Sequence, residues 1–345
     1  MAGTETLRHL VHRVATAEWL DRGGEPLSSV VGKVVGHGTA KDLLSGTWTG
    51  HPLHPVLTDL PIGFWTSAFV LDLAGGARSR PAADRLVGLG VLSALPVAAT
   101  GLSDWSDTLG EERRIGSVHA VANVVALGLY GWSWVARRRG SRRLGLALGY
   151  LGATAATAGG YLGGHLVFRM GVGPDRNAGK HVSDEWTEVA DDVALRAGEP
   201  LLVKVDDDDV LLVRTAEVVV AISNVCGHAG GPLNEGTFDD DGCVTCPWHA
   251  SVFRLADGHV IHGPATGHQP RYGVRSEGGR LSVREAVLGQ TLPFSFAGVP
   301  TLSLPCGMQA GLPLGLQVVA RRDADASLLA LGSWLEQRLE GVRPA

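Results

Sequence analysis

The sequence is poor in cysteine, in charged residues and in any excess of basic charge. Four cysteines in 345 residues are too few for a disulfide framework. Charged residues make up 19% of the chain, below the usual ~25%, and the mean hydropathy is +0.12, which argues against a disordered chain. Because 30 basic residues face 35 acidic ones, we expect no nucleic-acid partner. The composition instead predicts that part of the chain lies in lipid.

The charge is unevenly distributed along the chain. Residues 183–285 contain 18 acidic and 8 basic residues, although the whole chain has a net charge of only −5. The remainder is therefore net basic. This asymmetry predicts an acidic, water-exposed module attached to a basic membrane module.

The first 50 residues have an amphipathic helical pattern. Four long apolar segments come after them. They cover approximately 56–73, 86–102, 115–136 and 144–168. Each approaches the ~20 residues that an α-helix needs to cross the hydrocarbon core. In the fourth segment, Gly145/Gly149 and Gly160/Gly164 have a spacing that predicts close helix packing. The sequence thus predicts a four-helix transmembrane bundle, with the N-terminal helical segment either on the membrane surface or packed on the bundle.

Histidines mark one end of this predicted bundle. His51 and His54 precede the first span, His119 lies near the start of the third, and His165 lies near the end of the fourth. Because successive spans alternate in direction, all four fall on one membrane face, where the chain after the fourth span also emerges. Ionisable residues at membrane helices are candidate functional groups, and histidines between helices can hold haem. We therefore consider a haem or quinone site here, with structural or interfacial histidines as the alternative.

Arginines dominate the first and third loops between the predicted spans, including the run at 137–143. The positive-inside rule assigns these loops to the cytoplasm. Both termini, and the module after the fourth span, are then expected outside.

Beyond residue 184, short β-like runs separated by turn signals predict a small all-β domain. It contains CGHAGGPL at 226–233 and CPWHAS at 246–251, which give C-x-H, seventeen residues, and then C-x2-H. Such ligands fit either a Cys2His2 zinc site or a Rieske-type 2Fe–2S centre. A single residue between Cys226 and His228 suits ligands on two different metal ions, and this spacing favours the iron–sulfur interpretation.

Residues 185–285 resemble the Rieske family. The resemblance covers both ligand loops, the lead-in VVVAISNVC and the tail LADGHVIHGPATGHQPRYGVR. It implies that Cys226 and Cys246 bind one iron of a 2Fe–2S cluster, and that His228 and His249 bind the other.

The same resemblance identifies neighbours of the cluster. Ser251 stands where quinol-oxidising members place a hydroxyl that binds a cluster sulfur, whereas Phe253 replaces their tyrosine. Gly230 and Trp248 stand where those members have a disulfide. Because hydrogen bonds to sulfur raise the reduction potential, we expect a potential between the ferredoxin-like and quinol-oxidising classes.

Two further segments resemble known families. The stretch HPLHPVLTDLPIGFWTSAFVLDL resembles a widespread bacterial four-helix membrane domain of undefined function, over residues 45–170. This supports an integral protein of a bacterial cell membrane. The stretch TLPFSFAGVPTLSLPCGMQAGLPLGLQVVARRDADASLLALGSWLEQRL resembles the C-terminal end of amidase-signature hydrolases. The Ser–Ser–Lys core of that family does not occur in this sequence, so we expect no hydrolase activity.

These patterns predict a multidomain protein with an all-α four-helix transmembrane bundle, an all-β Rieske domain and a small C-terminal α/β tail. The expected boundaries are 1–50 for the amphipathic helical segment, 51–170 for the bundle, 171–184 for a linker, 185–285 for the Rieske domain and 286–345 for the amidase-like tail.

The expected function is single-electron transfer by a membrane-anchored Rieske protein, as an oxidoreductase component. Its partners would be a redox protein or a quinone, together with membrane lipid. One alternative is a ferredoxin-like electron donor to an oxygenase, and another is a non-catalytic redox sensor. An oxygenase itself needs a mononuclear iron held by two histidines and a carboxylate, and no convincing set of this kind follows the Rieske motif.

Overall fold

The computed structural model describes residues 2–180, 185–215, 218–285, 298–309 and 312–339. The chain divides into two compact units. The first combines Met1–Lys180 with Val193–Arg271, and the second combines His181–Asp192 with Tyr272–Ala345.

The first unit opens with seven α-helices. Their bounds are α1 (Ala2–Ala15), α2 (Asp21–Val35), α3 (Thr39–Ser45), α4 (Leu53–Ala74), α5 (Arg80–Ser106), α6 (Gly110–Arg138) and α7 (Arg142–Phe168). Among the described residues, the helical segments Leu53–Ala74, Ala77–Ser106 and Gly110–Arg138 are long and apolar enough to cross a membrane. The 27-residue α7 is comparably long, but its many glycines and threonines lower its mean hydropathy. The four predicted long helices are all present.

Helices α6 and α7 approach closely along a glycine stripe of α7. A Cβ atom at Gly145 would lie 2.5 Å from a side-chain atom of α6, and one at Gly159 would lie 2.7 Å from another. The space around Gly160 is open, and Gly164 has only a distant neighbour on its own helix. The prediction for Gly145 is confirmed, whereas that for Gly160/Gly164 is wrong. One residue turns the helix by about 100°, so it is Gly159 that faces α6.

Two arginines form an ion cluster at the end of the bundle where α6 ends and α7 begins. Arg137, at the end of α6, pairs with Asp72 of α4 at 2.6 Å and with Asp84 of α5 at 3.0 Å. Arg142 of α7 binds the same two carboxylates at 2.6 and 2.9 Å. Each of the four long helices thus contributes one residue to this ion cluster. Arg137 and Arg142 belong to the arginine run from which the positive-inside rule predicted the membrane orientation. Because Asp72 and Asp84 neutralise them, they give that prediction less support.

The first helix packs on the bundle. Val11 and Ala15 of α1 are buried together with Ile115 of α6, and Leu162 and Leu166 of α7 pack against them. The sequence allowed the N-terminal segment to lie on the membrane surface or to pack on the bundle, and in the structure α1 packs on the bundle.

The β-strands of the first unit form two antiparallel groups. They are β2 (Pro200–Val205), β3 (Asp208–Arg214), β4 (Val219–Ser223), β5 (Thr237–Phe238), β6 (Cys243–Thr245), β7 (Val252–Arg254) and β8 (Val260–His262). Strands β2, β3 and β4 pair in order, and β5 to β8 form a four-stranded sheet. Ile222 of β4 and Phe253 of β7 are fully buried in the shared core. The predicted all-β domain is confirmed.

The second unit contains β1 (Thr187–Asp191) and β10 (Arg280–Glu285), which pair antiparallel, and almost all of β9 (Arg271–Glu277), which pairs with β10. It also contains the hairpin of β11 (Thr301–Gln309) and β12 (Leu312–Val319), followed by helix α8 (Asp325–Leu339). This hairpin and helix match the predicted α/β tail.

Candidate metal centre

The two sequence motifs form two loops with the same closing pattern. The first loop follows β4, and the second connects β6 to β7. In each loop the cysteine carbonyl accepts an amide hydrogen bond from a residue four positions later, and that residue has a positive φ, +89° for Gly230 and +58° for Ala250. The bonds are Gly230 N to Cys226 O at 2.8 Å, Cys226 N to Gly231 O at 2.9 Å, Ala250 N to Cys246 O at 3.1 Å and Cys246 N to Ser251 O at 2.8 Å. Each loop is thus a tight turn that carries one cysteine and one histidine.

The four predicted ligands converge. The Cys226 and Cys246 sulfurs are within hydrogen-bond contact, and the imidazole centroids of His228 and His249 are 4.9 Å apart with nearly perpendicular planes. Within the described residues, the Nδ1 atoms of both histidines are buried and have no hydrogen-bond partner. Buried polar atoms are rarely left unpaired. Two adjacent thiols and two unsatisfied imidazole nitrogens therefore fit the Cys2His2 donor set of a Rieske cluster.

Burial and neighbouring groups shift the pKa values of the two cysteines and the two histidines. The contact with Cys226, together with the backbone amides of Trp248 and His249, lowers the pKa of the Cys246 thiol to about 6. The same thiol contact and burial raise the pKa of Cys226. Burial lowers the pKa of His228 to about 3 and also lowers that of His249. One thiolate and two neutral imidazoles are the forms that bind a metal at neutral pH.

The predicted neighbours of the cluster occupy different environments. Ser251 is fully buried, and its Oγ accepts a hydrogen bond from Ala265 N at 3.0 Å. Trp248 is 53% exposed and presents its ring edge to His249. A Cβ atom at Gly231 would lie 2.8 Å from Cys246 Sγ, so this position requires glycine.

The histidine edge of the site faces the end of the helical bundle. Asp107 directly follows α5, and its Oδ2 lies 3.7 Å from His228 Nε2, while a backbone group of Asp107 contacts His249. Lys41 of α3 places its Nζ 2.7 Å from Asp107 Oδ2 and 2.9 Å from Ser103 O. The Lys41 side chain is only 4% exposed. A buried ion pair thus stands beside both histidines.

Helix α3 also holds the segment that follows β8. Asp42 accepts hydrogen bonds from Gly263 N at 2.6 Å and from His262 Nδ1 at 2.9 Å. Thr47 Oγ1 donates to Ala265 O at 3.0 Å. Because Ala265 N binds Ser251, the N-terminal helical segment connects through one residue to the second ligand loop.

Residues after α7 are hydrogen-bonded to the first ligand loop. Arg176 N donates to Gly227 O at 2.8 Å, and Asn177 Nδ2 donates to Val225 O at 2.9 Å. Gln269 Oε1 accepts from Gly227 N at 3.0 Å and from Asn177 at 3.2 Å. The described part of the predicted linker is therefore packed against the site. Sequence reasoning missed Asn177 and Gln269, which no motif marks.

The structure does not bring all four membrane histidines together. His51 is exposed. His54 and His119 are within electrostatic reach of each other, and their Nδ1 atoms lie 3.0 and 2.8 Å from backbone carbonyl oxygens. His165 lines a separate pocket beside α1. Of the four, His54 and His119 are the two whose rings are held by backbone carbonyls of neighbouring helices.

Comparison with known proteins identifies both modules. Residues 185–273 match the family model of the Rieske [2Fe-2S] domain. The chain contains a Rieske domain. This domain implies a 2Fe–2S cluster. Residues 50–176 match the family described as a predicted membrane protein (DUF2231), and together with the three apolar helices this supports a membrane protein.

Relatives of known function match only parts of the chain. A stretch of 63 residues is 38% identical to the 3-phenylpropionate/cinnamic acid dioxygenase ferredoxin subunit of Escherichia coli, covering 18% of this chain and 59% of that protein. The ferredoxin of carbazole 1,9a-dioxygenase from Nocardioides aromaticivorans is 31% identical, with a TM-score of 0.28, over 29% of this chain and 98% of that one. The match to the Rieske family model supports a Rieske electron-transfer protein.

A different segment is similar to part of an amidotransferase. Over 50 residues the chain is 50% identical to a subunit of the glutamyl-tRNA(Gln) amidotransferase of Moorella thermoacetica, covering 14% of this chain and 10% of that protein. The chain thus spans about a tenth of the length of that relative. A partial match of this size agrees with the resemblance of the C-terminal tail to amidases.

Proposed function

We propose that this protein is a membrane-anchored carrier of single electrons. Cys226 and Cys246 would hold one iron of a Rieske 2Fe–2S cluster, and His228 and His249 would hold the other. The observation that carries this proposal is the pair of buried Nδ1 atoms without partners beside two thiols in contact. When bound, such a cluster accepts and releases one electron at a time. The protein's own residues hold the ligands, shield them from water and set the surrounding charge.

The ligand assignment is tested by low-temperature EPR and visible absorption on the detergent-purified full chain. We expect a signal with the low average g value of a Rieske centre, and its loss in C246S and H228A. The matched control is C243S, because Cys243 is also buried and lies three residues from Cys246 without belonging to the ligand set. Retention of an unchanged signal in C246S would contradict the assignment. A zinc-loaded protein without any iron signal would favour the Cys2His2 zinc alternative.

We further propose that electrons are exchanged at the membrane side of the Rieske domain. The support is the location of Asp107 and Lys41 beside the histidine ligands, because this edge is covered by the helical bundle rather than presented to bulk water. A quinone or a haem near the bundle end is the partner that this arrangement favours. The loop arginines outside the ion cluster, which include Arg139 and Arg143, favour the outer side of a bacterial cell membrane for the Rieske domain.

His54 and His119 are the candidates for holding such a membrane cofactor. Each Nδ1 is engaged by a backbone carbonyl, a pattern that orients the ring. Asn123 Nδ2 lies 3.2 Å from His119 Nε2, so a ligand on His119 would replace this contact. Absorption and redox difference spectra of the purified protein test this proposal. Loss of a haem band or of bound quinone in H119A, with retention in the exposed-site control H51A, is the expected result. Equal spectra in both variants would count against it.

A second candidate function is electron donation to a soluble oxygenase. The partial match to a dioxygenase ferredoxin subunit favours it. EPR on samples poised first with ascorbate and then with dithionite separates the two functions. A signal with ascorbate alone indicates a high potential and a quinol or cytochrome chain, whereas a signal that needs dithionite indicates a ferredoxin-like donor.

A further inference from the structure

A pocket of about 310 Å3 lies between α1, the start of α6 and the end of α7. Its lining includes two arginines, Arg8 and Arg169, and two histidines, His12 and His165. Its volume is within the range of small-molecule sites. The helix ends that form it belong to the bundle end that carries the ligand loops.

The basic side chains of this pocket are not paired with other side chains. Within the described part of the chain, the side chains of Arg8, His12, His165 and Arg169 have no hydrogen bond or ion pair, whereas the backbones of His12 and Arg169 do form hydrogen bonds. The side chain of Tyr161 has none either, and Glu111 is the one carboxylate in the lining. Two exposed arginines that line one pocket without a salt bridge favour a bound anion.

The floor of the pocket is apolar. Val11 and Ala15 of α1 and Ile115 of α6 are buried there, and Met170 packs against them. An apolar floor below a cationic rim matches an amphiphile whose anionic group binds the rim. The pocket lies at the start of α6, which is long and apolar enough to span a membrane, and arginine and tyrosine are residues that bind headgroups at the membrane interface.

We propose that this pocket binds the phosphodiester headgroup of an anionic membrane phospholipid. Arg8 and Arg169 pair with the phosphate, and His12, His165 and Tyr161 supply further hydrogen-bond donors. The start of the acyl chains lies over Val11 and Met170. The lipid bridges α1 to the end of α7, and this assigns His165 to lipid binding rather than to a haem or quinone. The inference depends on membrane insertion and is independent of the iron centre.

The test is native mass spectrometry on the delipidated full chain in detergent, titrated with phosphatidylglycerol or with phosphatidylcholine of the same acyl chains. We expect one tightly bound phosphatidylglycerol, with an affinity roughly thirtyfold above that of phosphatidylcholine, as two cationic contacts provide. R8Q/R169Q should reduce this preference to near unity. The matched control is R139Q/R143Q, which removes two exposed arginines at the other end of the bundle.

Three results would overturn the proposal. They are equal binding of both lipids, an equal loss of preference in the control, and tight binding of inorganic phosphate that displaces no lipid. An unchanged visible spectrum of the Rieske centre verifies folding of R8Q/R169Q. Detergent phase separation keeps the outcomes distinct, since a chain that partitions into water fails as a membrane protein, whereas one that partitions into detergent without a lipid preference fails only this inference.

Discussion

Replacement of Asp107 by asparagine is the most informative perturbation of the proposed electron carrier. The variant keeps the shape of the side chain and removes one negative charge, located 3.7 Å from His228 Nε2. Loss of negative charge beside an iron ligand stabilises the reduced cluster, so we expect the reduction potential to rise. The opposite change, K41M, removes the cation that pairs with Asp107, and it should lower the potential.

The size of the shift follows from Coulomb's law. A unit charge at roughly 4–7 Å, with an effective dielectric constant of about 20, interacts by about 2–4 kcal/mol. Asp107 and His228 are 15% and 20% exposed, and the Lys41 charge opposes that of Asp107. We therefore expect a net effect of about 1–2 kcal/mol, which is roughly 45–90 mV for a one-electron couple. The shift in K41M should be smaller, because Lys41 is one contact further from the ligand.

The assay is a potentiometric titration followed by EPR at constant pH. The matched control is D257N, which removes the same charge from the Rieske domain. Asp257 is 43% exposed and paired with Arg254, so the potential of this variant should change by less than about 15 mV. A fall in potential for D107N, or shifts of equal sign in D107N and K41M, would refute the electrostatic argument.

Three further predictions concern the cluster environment and the stability of the chain. S251A should lower the reduction potential by several tens of mV, since one neutral hydrogen bond is worth about 1 kcal/mol. S251T keeps a hydroxyl, so its reduction potential should stay close to that of the parent chain. Redox titration measures both variants. R137M removes one of the two arginines that pair with the buried carboxylate of Asp72, and because Arg142 remains, thermal unfolding in detergent should show a loss of about 1–3 kcal/mol. Arg254 holds the pKa of Asp257 at about 2, below its ordinary value, so this pair stabilises the fold above about pH 4 and loses its effect as the pH falls toward 2. Acid unfolding of D257N, compared with the parent chain, measures that contribution.

Local sequence patterns predict most of the fold and the ligand set. The two Cys–His motifs are contained within short loops, so their spacing favours a two-iron centre over a zinc site, and the family resemblance predicts which iron each ligand binds. The long helices follow from apolar length, and the strands of the all-β domain follow from short β-like runs between turn signals. Helix periodicity failed at Gly160/Gly164, because a one-residue shift turns the contact face by about 100°.

Contacts between distant segments were beyond the reach of the sequence. Lys41 meets Ser103 across 62 positions, and Asp42 meets Gly263 across 221. A single sequence contains no signal for such pairs, since any acidic residue near a helix end satisfies the same pattern. The prediction that four membrane histidines share one site assumed that a common membrane face implies proximity, and His165 shows that it does not. The domain boundaries predicted from composition stay a prediction.

The hydrogen bonds of Arg176 and Asn177 to the first ligand loop have a consequence for dissection of the protein. A water-soluble fragment that begins at residue 185, where the Rieske family match starts, lacks both residues. Gly227 O and Val225 O then lose donors, and Gln269 loses one of its contacts. The segment that follows α7 is thus a component of the proposed iron site. These hydrogen bonds join the helical module to the Rieske domain. A cut at residue 185, where the family match starts, therefore removes part of the site.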